Sequence, residues 1–243
     1  MNEEKKQNLE IIKRLLVDEF GSKLLSIIIY GSTLNDDYCK FSDYDCLIIF
    51  DDVDFAMLRK LRNIKLVLKN QYKISIDFNS HIKTDLPEIR KKVFWHNNRG
   101  IYVQKELAIY GEVIYGKKIF EDIAIDNRAM LEEAVKDISS LNYQARKLLS
   151  NKALNTSSKI LLMKWCIYGV LYYLATYNCF PDGRREALRT FDQKFSPAIK
   201  SEQFLDVKTK HPDFITRKEA ELAFDFLKYL DKLIFARYQM EST

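Results

Sequence analysis

Three aspartates have the residue type and spacing to do chemistry. Asp43 and Asp45 flank a tyrosine at the entry to an apolar run, and Asp77 lies in a later segment of alternating polarity. Residues i and i+2 of an extended chain point to the same side, so Asp43 and Asp45 present both carboxylates to one point. Two carboxylates there repel, and a hard divalent cation with oxygen ligands relieves the repulsion. Magnesium typically takes one or two carboxylates together with phosphate oxygens and water. Asp77 would complete a three-carboxylate cluster able to hold two ions, which suits in-line displacement at phosphorus. Gly31 and Ser32 suit the other half of such a reaction. A glycine lets backbone N–H groups approach a phosphate closely and a following hydroxyl adds a donor, so this pair would hold a departing pyrophosphate.

Each feature alone is weak. Glycine after a strand is common punctuation, and an acid in a strand usually faces solvent. The competing reading is a small α/β domain whose acids cap strands or keep the surface soluble. A domain that binds nucleotides without reacting is disfavoured, because all three carboxylates are present.

The elements that must position these residues are legible from periodicity. Leu9, Ile12, Leu15 and Leu16 recur at helical spacing over 3–20. The run 24–30 is apolar apart from Ser26 and too short for a helix, so it reads as a buried strand stopping at Gly31. A second buried strand is expected over 44–50, a helix over 53–70, and a third strand over 72–78 with Asp77 on its polar face. A helix over 101–110 and a short glycine-bounded strand over 111–116 follow. From about Asp126 onward only helical periodicity remains, carried by Leu131, Ala134, Ile138, Leu141 and Ala145 and later by Leu222, Phe226 and Leu230. The apolar stretch 160–180 is broken by Lys164 and Gly169 and rich in tyrosine, so it reads as the central helix of a bundle and not as a membrane span. The expected fold class is α+β: a mixed β-sheet with flanking helices over 1–120, then an all-helical bundle over 121–243, joined near 117–126.

The set Tyr30-Gly31-Ser32, Ser42-Asp43-Tyr44-Asp45 and Ile76-Asp77-Phe78 resembles the signature of the DNA polymerase β superfamily of nucleotidyltransferases. With the short strand at 111–116 and the helical second half, the chain is most similar to the aminoglycoside and lincosamide nucleotidyltransferases. The motif resemblance covers the first half; over the second it is one of architecture. It implies that Asp43 and Asp45 bind both magnesium ions, while Asp77 binds the ion on the acceptor side, acts as general base, or does both. A hydroxyl would attack the α-phosphate of ATP or another nucleoside triphosphate, and pyrophosphate would leave. In related enzymes a cation from the helical half reaches the triphosphate. Arg184 leads the candidates because it follows the turn Phe180-Pro181-Asp182-Gly183; Arg185, Lys159 and Lys164 are the others. Glu132 and Glu133 stand where some relatives place a catalytic carboxylate, although acids near a helix start are favoured by the dipole. His81, His96 and His211 are too dispersed for a metal cluster, and Trp95 with His96 could line an acceptor pocket or simply pack.

The leading acceptor is a small hydroxylated molecule such as an aminoglycoside-type antibiotic, since the length and two-domain layout suit a cleft between halves. Asp36, Asp37, Asp51, Asp52 and Asp54 lie close in sequence to the carboxylates and would favour a polycationic acceptor. The rival is a macromolecular acceptor, transfer RNA or a protein, as in toxin–antitoxin members. A net charge of +5 and a pI near 8.8 mildly favour it, but acids and bases are mixed along the chain and an ordinary lysine-rich surface explains them as well. Hydrophobic residues at 47% and charged residues at 30% are those of a folded, water-exposed chain without long linkers. Cys39, Cys46, Cys166 and Cys179 lack CxxC spacing and nothing at the N-terminus resembles a signal peptide, so reduced thiols in the cytoplasm are expected.

Overall fold

The computed structural model describes residues 3–34, 43–85, 100–118, 126–151, 154–209 and 215–241. Asp36, Asp37, Cys39, Ser42, Trp95, His96 and His211 lie outside them. The chain divides into two compact units, Met1–Ile123 and Ala124–Thr243.

In the first unit, helix α1 (Glu3–Phe20) buries Leu9, Ile12, Leu16 and Phe20, one stripe at three- and four-residue spacing. Gly21 adopts φ +51° and turns the chain into strand β1 (Leu24–Tyr30). Strand β2 (Tyr44–Phe50) runs antiparallel to β1 and parallel to β3 (Ile76–Ile82), while β4 (Glu112–Gly116) pairs antiparallel with β1 on its other side. The sheet order is β3-β2-β1-β4. Helix α2 (Phe55–Gln71) makes the crossover between the two parallel strands. Its N-terminus is capped by Asp54, whose carboxylate accepts from Met57 N at 2.7 Å.

Alternation assigns the faces of the sheet. Ile27 and Ile29 of β1, Tyr44, Cys46, Ile48 and Phe50 of β2, and Ile76 of β3 form one core with α1 and α2. Tyr30, Asp45, Leu47, Asp77 and Asn79 therefore belong to the opposite face. Helix α3 (Gly100–Tyr110) packs against β1 and the turn Gly31–Leu34.

The third strand starts later than its alternation implies. After α2, Lys73 takes φ +59° and the amides of Tyr72 and Ile74 both donate to Leu68 O, so 72–74 close the helix instead of opening a strand. Ile74 is buried in that turn, which mimics strand alternation. The strand proper carries on through Asn79, Ser80 and His81 to Ile82, a polar stretch that periodicity does not flag.

The second unit is helical: α4 (Asn127–Asn151), α5 (Thr156–Ala175), α6 (Arg184–Phe195), α7 (Glu202–Thr209) and α8 (Arg217–Glu241). Helix α5 packs against α4, α6, α7 and α8, which is why it is apolar on nearly every side. No helix among the described residues is long and apolar enough to cross a membrane.

Candidate active site

The turn Gly31–Leu34 closes β1 with Gly31 at φ +73°, a conformation open chiefly to glycine. Ser32 and Thr33 within this turn are buried, and Lys5 Nζ of α1 donates to Thr33 O at 3.0 Å. A Cβ on Gly31 would stand 2.5 Å from Asp45 Oδ2, so the carboxylate fills the space that the glycine leaves. Asp45 and Asp77 are Cα partners across the parallel pair β2–β3. Neighbouring strands lie about 4.8 Å apart and partners share a face, so the two side chains leave neighbouring positions on that face. Asp43 precedes Asp45 by two residues, and its carboxylate accepts from Ser75 Oγ. Asp77 Oδ1 meets Lys65 Nζ of α2 at 3.3 Å. The structure thus brings Gly31, Ser32, Asp43, Asp45 and Asp77 to one end of the sheet.

Tyr30 crosses β2 on the same face, and its hydroxyl accepts from Asn79 Nδ2 at 2.5 Å. Burial pushes this phenol well above its ordinary range, and the carboxylates of Asp45, Glu106 and Asp77 and the Cys46 thiol add to the shift. The Cys46 thiol is raised likewise, first by burial and then by Asp45. Both groups hold their protons in a field that is already negative.

The donor set fits a hard divalent cation: oxygen ligands only, on adjacent strands, at a solvent-accessible sheet end. In the side-chain positions adopted here the carboxylates do not converge. Among the described residues no group of three or more His, Cys, Asp or Glu is close enough to hold a metal. Like charges separate where they can, Asp43 toward the Ser75 hydroxyl and Asp77 toward the Lys65 ammonium. Asp43, Asp45 and Asp77 would hold the ion.

Ser75 and Lys65 carry no sequence signal of their own. Ser75 lies two residues before Asp77 and becomes meaningful once the register is known, and Lys65 is one of several cations on α2. Asp51, Asp52 and Asp54, expected beside the carboxylates, sit instead at the far end of β2. A strand rises about 3.3 Å per residue, so they are about 20 Å away. Asp52 Oδ1 accepts from Val53 N and Asp54 caps α2, so these acids organise the strand-to-helix connection.

In the second unit, Arg184 opens α6 as its turn implies, with its guanidinium 5.8 Å from the centre of the Tyr168 ring. Arg185 pairs with Asp206, and Lys159 Nζ donates to Ile215 O at 2.6 Å. Glu132 lies one turn inside α4, paired with Arg128 at 3.2 Å, which matches a helix-surface role.

A nucleotidyltransferase domain model matches residues 9–102. Among curated proteins nothing matches the chain. Its fold is similar to the crystal structure of spectinomycin adenyltransferase AAD(9) from Enterococcus faecialis with ATP and spectinomycin, at 14% identity and a TM-score of 0.58, covering 94% of this chain and 98% of that one. Two toxin–antitoxin structures also match at lower similarity. One is the tri-AMPylated HEPN toxin of Shewanella oneidensis with its MNT antitoxin, at 17% identity and TM-score 0.30, covering 60% of this chain and 93% of that one. The other is the MntA–HpeT pair, at 14% identity and TM-score 0.31, covering 58% and 93%. Superpositions that loose carry no argument. The matched segment runs from α1 through the Gly31 turn, all three aspartates and into α3, and on it the chain is identified as an α+β enzyme carrying a nucleotidyltransferase domain.

Proposed function

We propose that the enzyme transfers a nucleoside monophosphate, AMP from ATP, to a hydroxyl of a small acceptor such as an aminoglycoside-type antibiotic and releases pyrophosphate. The observation that carries this reading is the register of Asp45 with Asp77, with Asp43 two residues before and the Gly31 turn directly beside. Magnesium, when bound, would supply charge neutralisation for displacement at phosphorus. The chain's own part is positional: Asp43 and Asp45 would hold the ions, the Gly31-Ser32 turn would take phosphate oxygens, and Asp77 would accept the acceptor's proton, ligate metal, or do both. Arg184 is the candidate cation for the triphosphate. The first unit would carry the chemistry and the helical unit would bind acceptor and nucleotide, in a cytoplasmic setting. The shared layout with the spectinomycin enzyme over nearly the whole of both chains supports the small-acceptor class.

A macromolecular acceptor is the second reading, and α2 favours it. Between Phe55 and Ile76 the chain has six cations and no acid, and Arg59, Arg62 and Lys69 are exposed without an ion pair among the described residues. Labelled ATP with magnesium and a panel of spectinomycin, streptomycin, bulk transfer RNA and a protein extract separates the two. Label on transfer RNA or protein with none on the small acceptors would overturn the first reading, and no label on any acceptor would sink both.

A further inference from the structure

Lys65 stands out among the cations of α2. That helix packs on the face of the sheet away from the carboxylates, yet β3 is an edge strand among the described residues, and Lys65 Nζ meets Asp77 Oδ1 past that edge at 3.3 Å. Lys60 pairs instead with Glu19, and Lys73 bonds the Asn70 carbonyl. We propose that Lys65 is a positioning residue that serves as the resident counter-ion of Asp77, holding this carboxylate apart from Asp45 in the metal-free enzyme and releasing it to an incoming divalent cation. The inference rests on the metal reading given above.

Asp45 and Asp77 are forced to be neighbours by strand register, so without a cation their charges must be relieved locally. Asp43 has the Ser75 hydroxyl for this and Asp77 has the Lys65 ammonium. A dication ligated by Asp77 and an ammonium on the same carboxylate repel each other, so one displaces the other. Displacement is easy, because the Lys65 and Asp77 side chains are 48% and 57% exposed and water receives the freed ammonium. An exposed pair of this kind is weak. A strong, buried pair would lock Asp77 out of the site, whereas this one biases its position and yields.

The test is calorimetric titration of Mn2+ alone into the full chain, comparing wild type with Lys65→Met, Asp77→Asn, the double variant and Asp45→Asn, each checked for fold by circular dichroism. Lys65→Met should bind Mn2+ about twofold to fivefold more tightly than wild type. The gain should vanish when Asp77→Asn is already present, and Lys65→Arg should stay near wild type. Equal or weaker binding by Lys65→Met overturns the proposal, and so does a gain that persists without Asp77. A silent Lys65→Met beside weakened binding by Asp45→Asn rejects the counter-ion role alone. Binding indifferent to both Asp45 and Asp77 removes the metal reading and this inference together. Lys65→Gln gives the same comparison should the methionine variant misfold.

Discussion

Gly31 and Asp45 share one space: the Cβ that Gly31 lacks would stand 2.5 Å from Asp45 Oδ2. Turn and carboxylate are therefore one unit, and either can be perturbed through the other. Gly31→Ala forces both a positive φ on a side chain and a displaced carboxylate. We expect a stability loss of about 1–3 kcal/mol by urea titration. Pyrophosphate release should fall by more than the stability loss explains, and a fully active Gly31→Ala protein would break the link.

Asp45→Asn removes one of two adjacent like charges. In metal-free buffer its melting temperature should match or exceed that of wild type, since a facing like-charge pair costs about 0.2–1 kcal/mol. Transfer should nevertheless fall on the order of a hundredfold or more. Separate measurement of melting and turnover checks both halves, and a destabilised yet active variant contradicts the assignment.

Ser75→Ala frees the Asp43 carboxylate from its hydroxyl partner. The loss of one charge-assisted hydrogen bond, about 1–2 kcal/mol, should appear as a change of about fivefold to thirtyfold in the magnesium concentration needed for half-maximal turnover. Unchanged magnesium dependence would make Ser75 a bystander.

Alkaline stability should report on the buried phenol and thiol. The folded state keeps Tyr30 and Cys46 protonated above the pH where the unfolded chain releases those protons, about 10 for tyrosine and about 8.5 for cysteine. The native state then binds more protons than the unfolded one, so their contribution is intact below those values and is lost as pH rises beyond them. Urea midpoints should be flat to about pH 8.5 and fall above it. The fall should be shallower in Tyr30→Phe and Cys46→Ser than in wild type, and parallel curves would assign it elsewhere.

In the helical unit, Asp231 of α8 accepts from Ser139 Oγ at 2.6 Å and from Asn142 Nδ2 at 2.7 Å, both on α4. Asn142 is 4% exposed, and its Oδ1 has no hydrogen-bond partner among the described residues. Asp231→Ala would strand the amide nitrogen as well, costing about 1–3 kcal/mol in thermal unfolding. Asp231→Asn, which keeps one acceptor, should cost less.

The sequence by itself determined what is written over a few neighbouring residues. Helix α1 and strands β1 and β2 follow from the spacing of their apolar side chains, and the turn at Gly31 from a glycine at the end of an isoleucine run. Asp43 and Asp45 share a side because both lie on one short extended segment, a rule that needs no knowledge of the rest of the chain. The tertiary structure decided everything that depends on which strand lies beside which. Nothing local shows that Asp77 is the partner of Asp45, that Ser75 reaches Asp43, that Tyr30 bonds Asn79 across β2, or that Lys65 meets Asp77 past the sheet edge. The late start of β3 has the same origin. Ile74 is buried because the end of α2 turns it into the core, and alternation along the chain cannot distinguish that burial from a strand's. Periodicity encodes how a segment divides between core and water, whereas strand register is set by packing between segments distant in sequence, and the charges of this site meet only through that register.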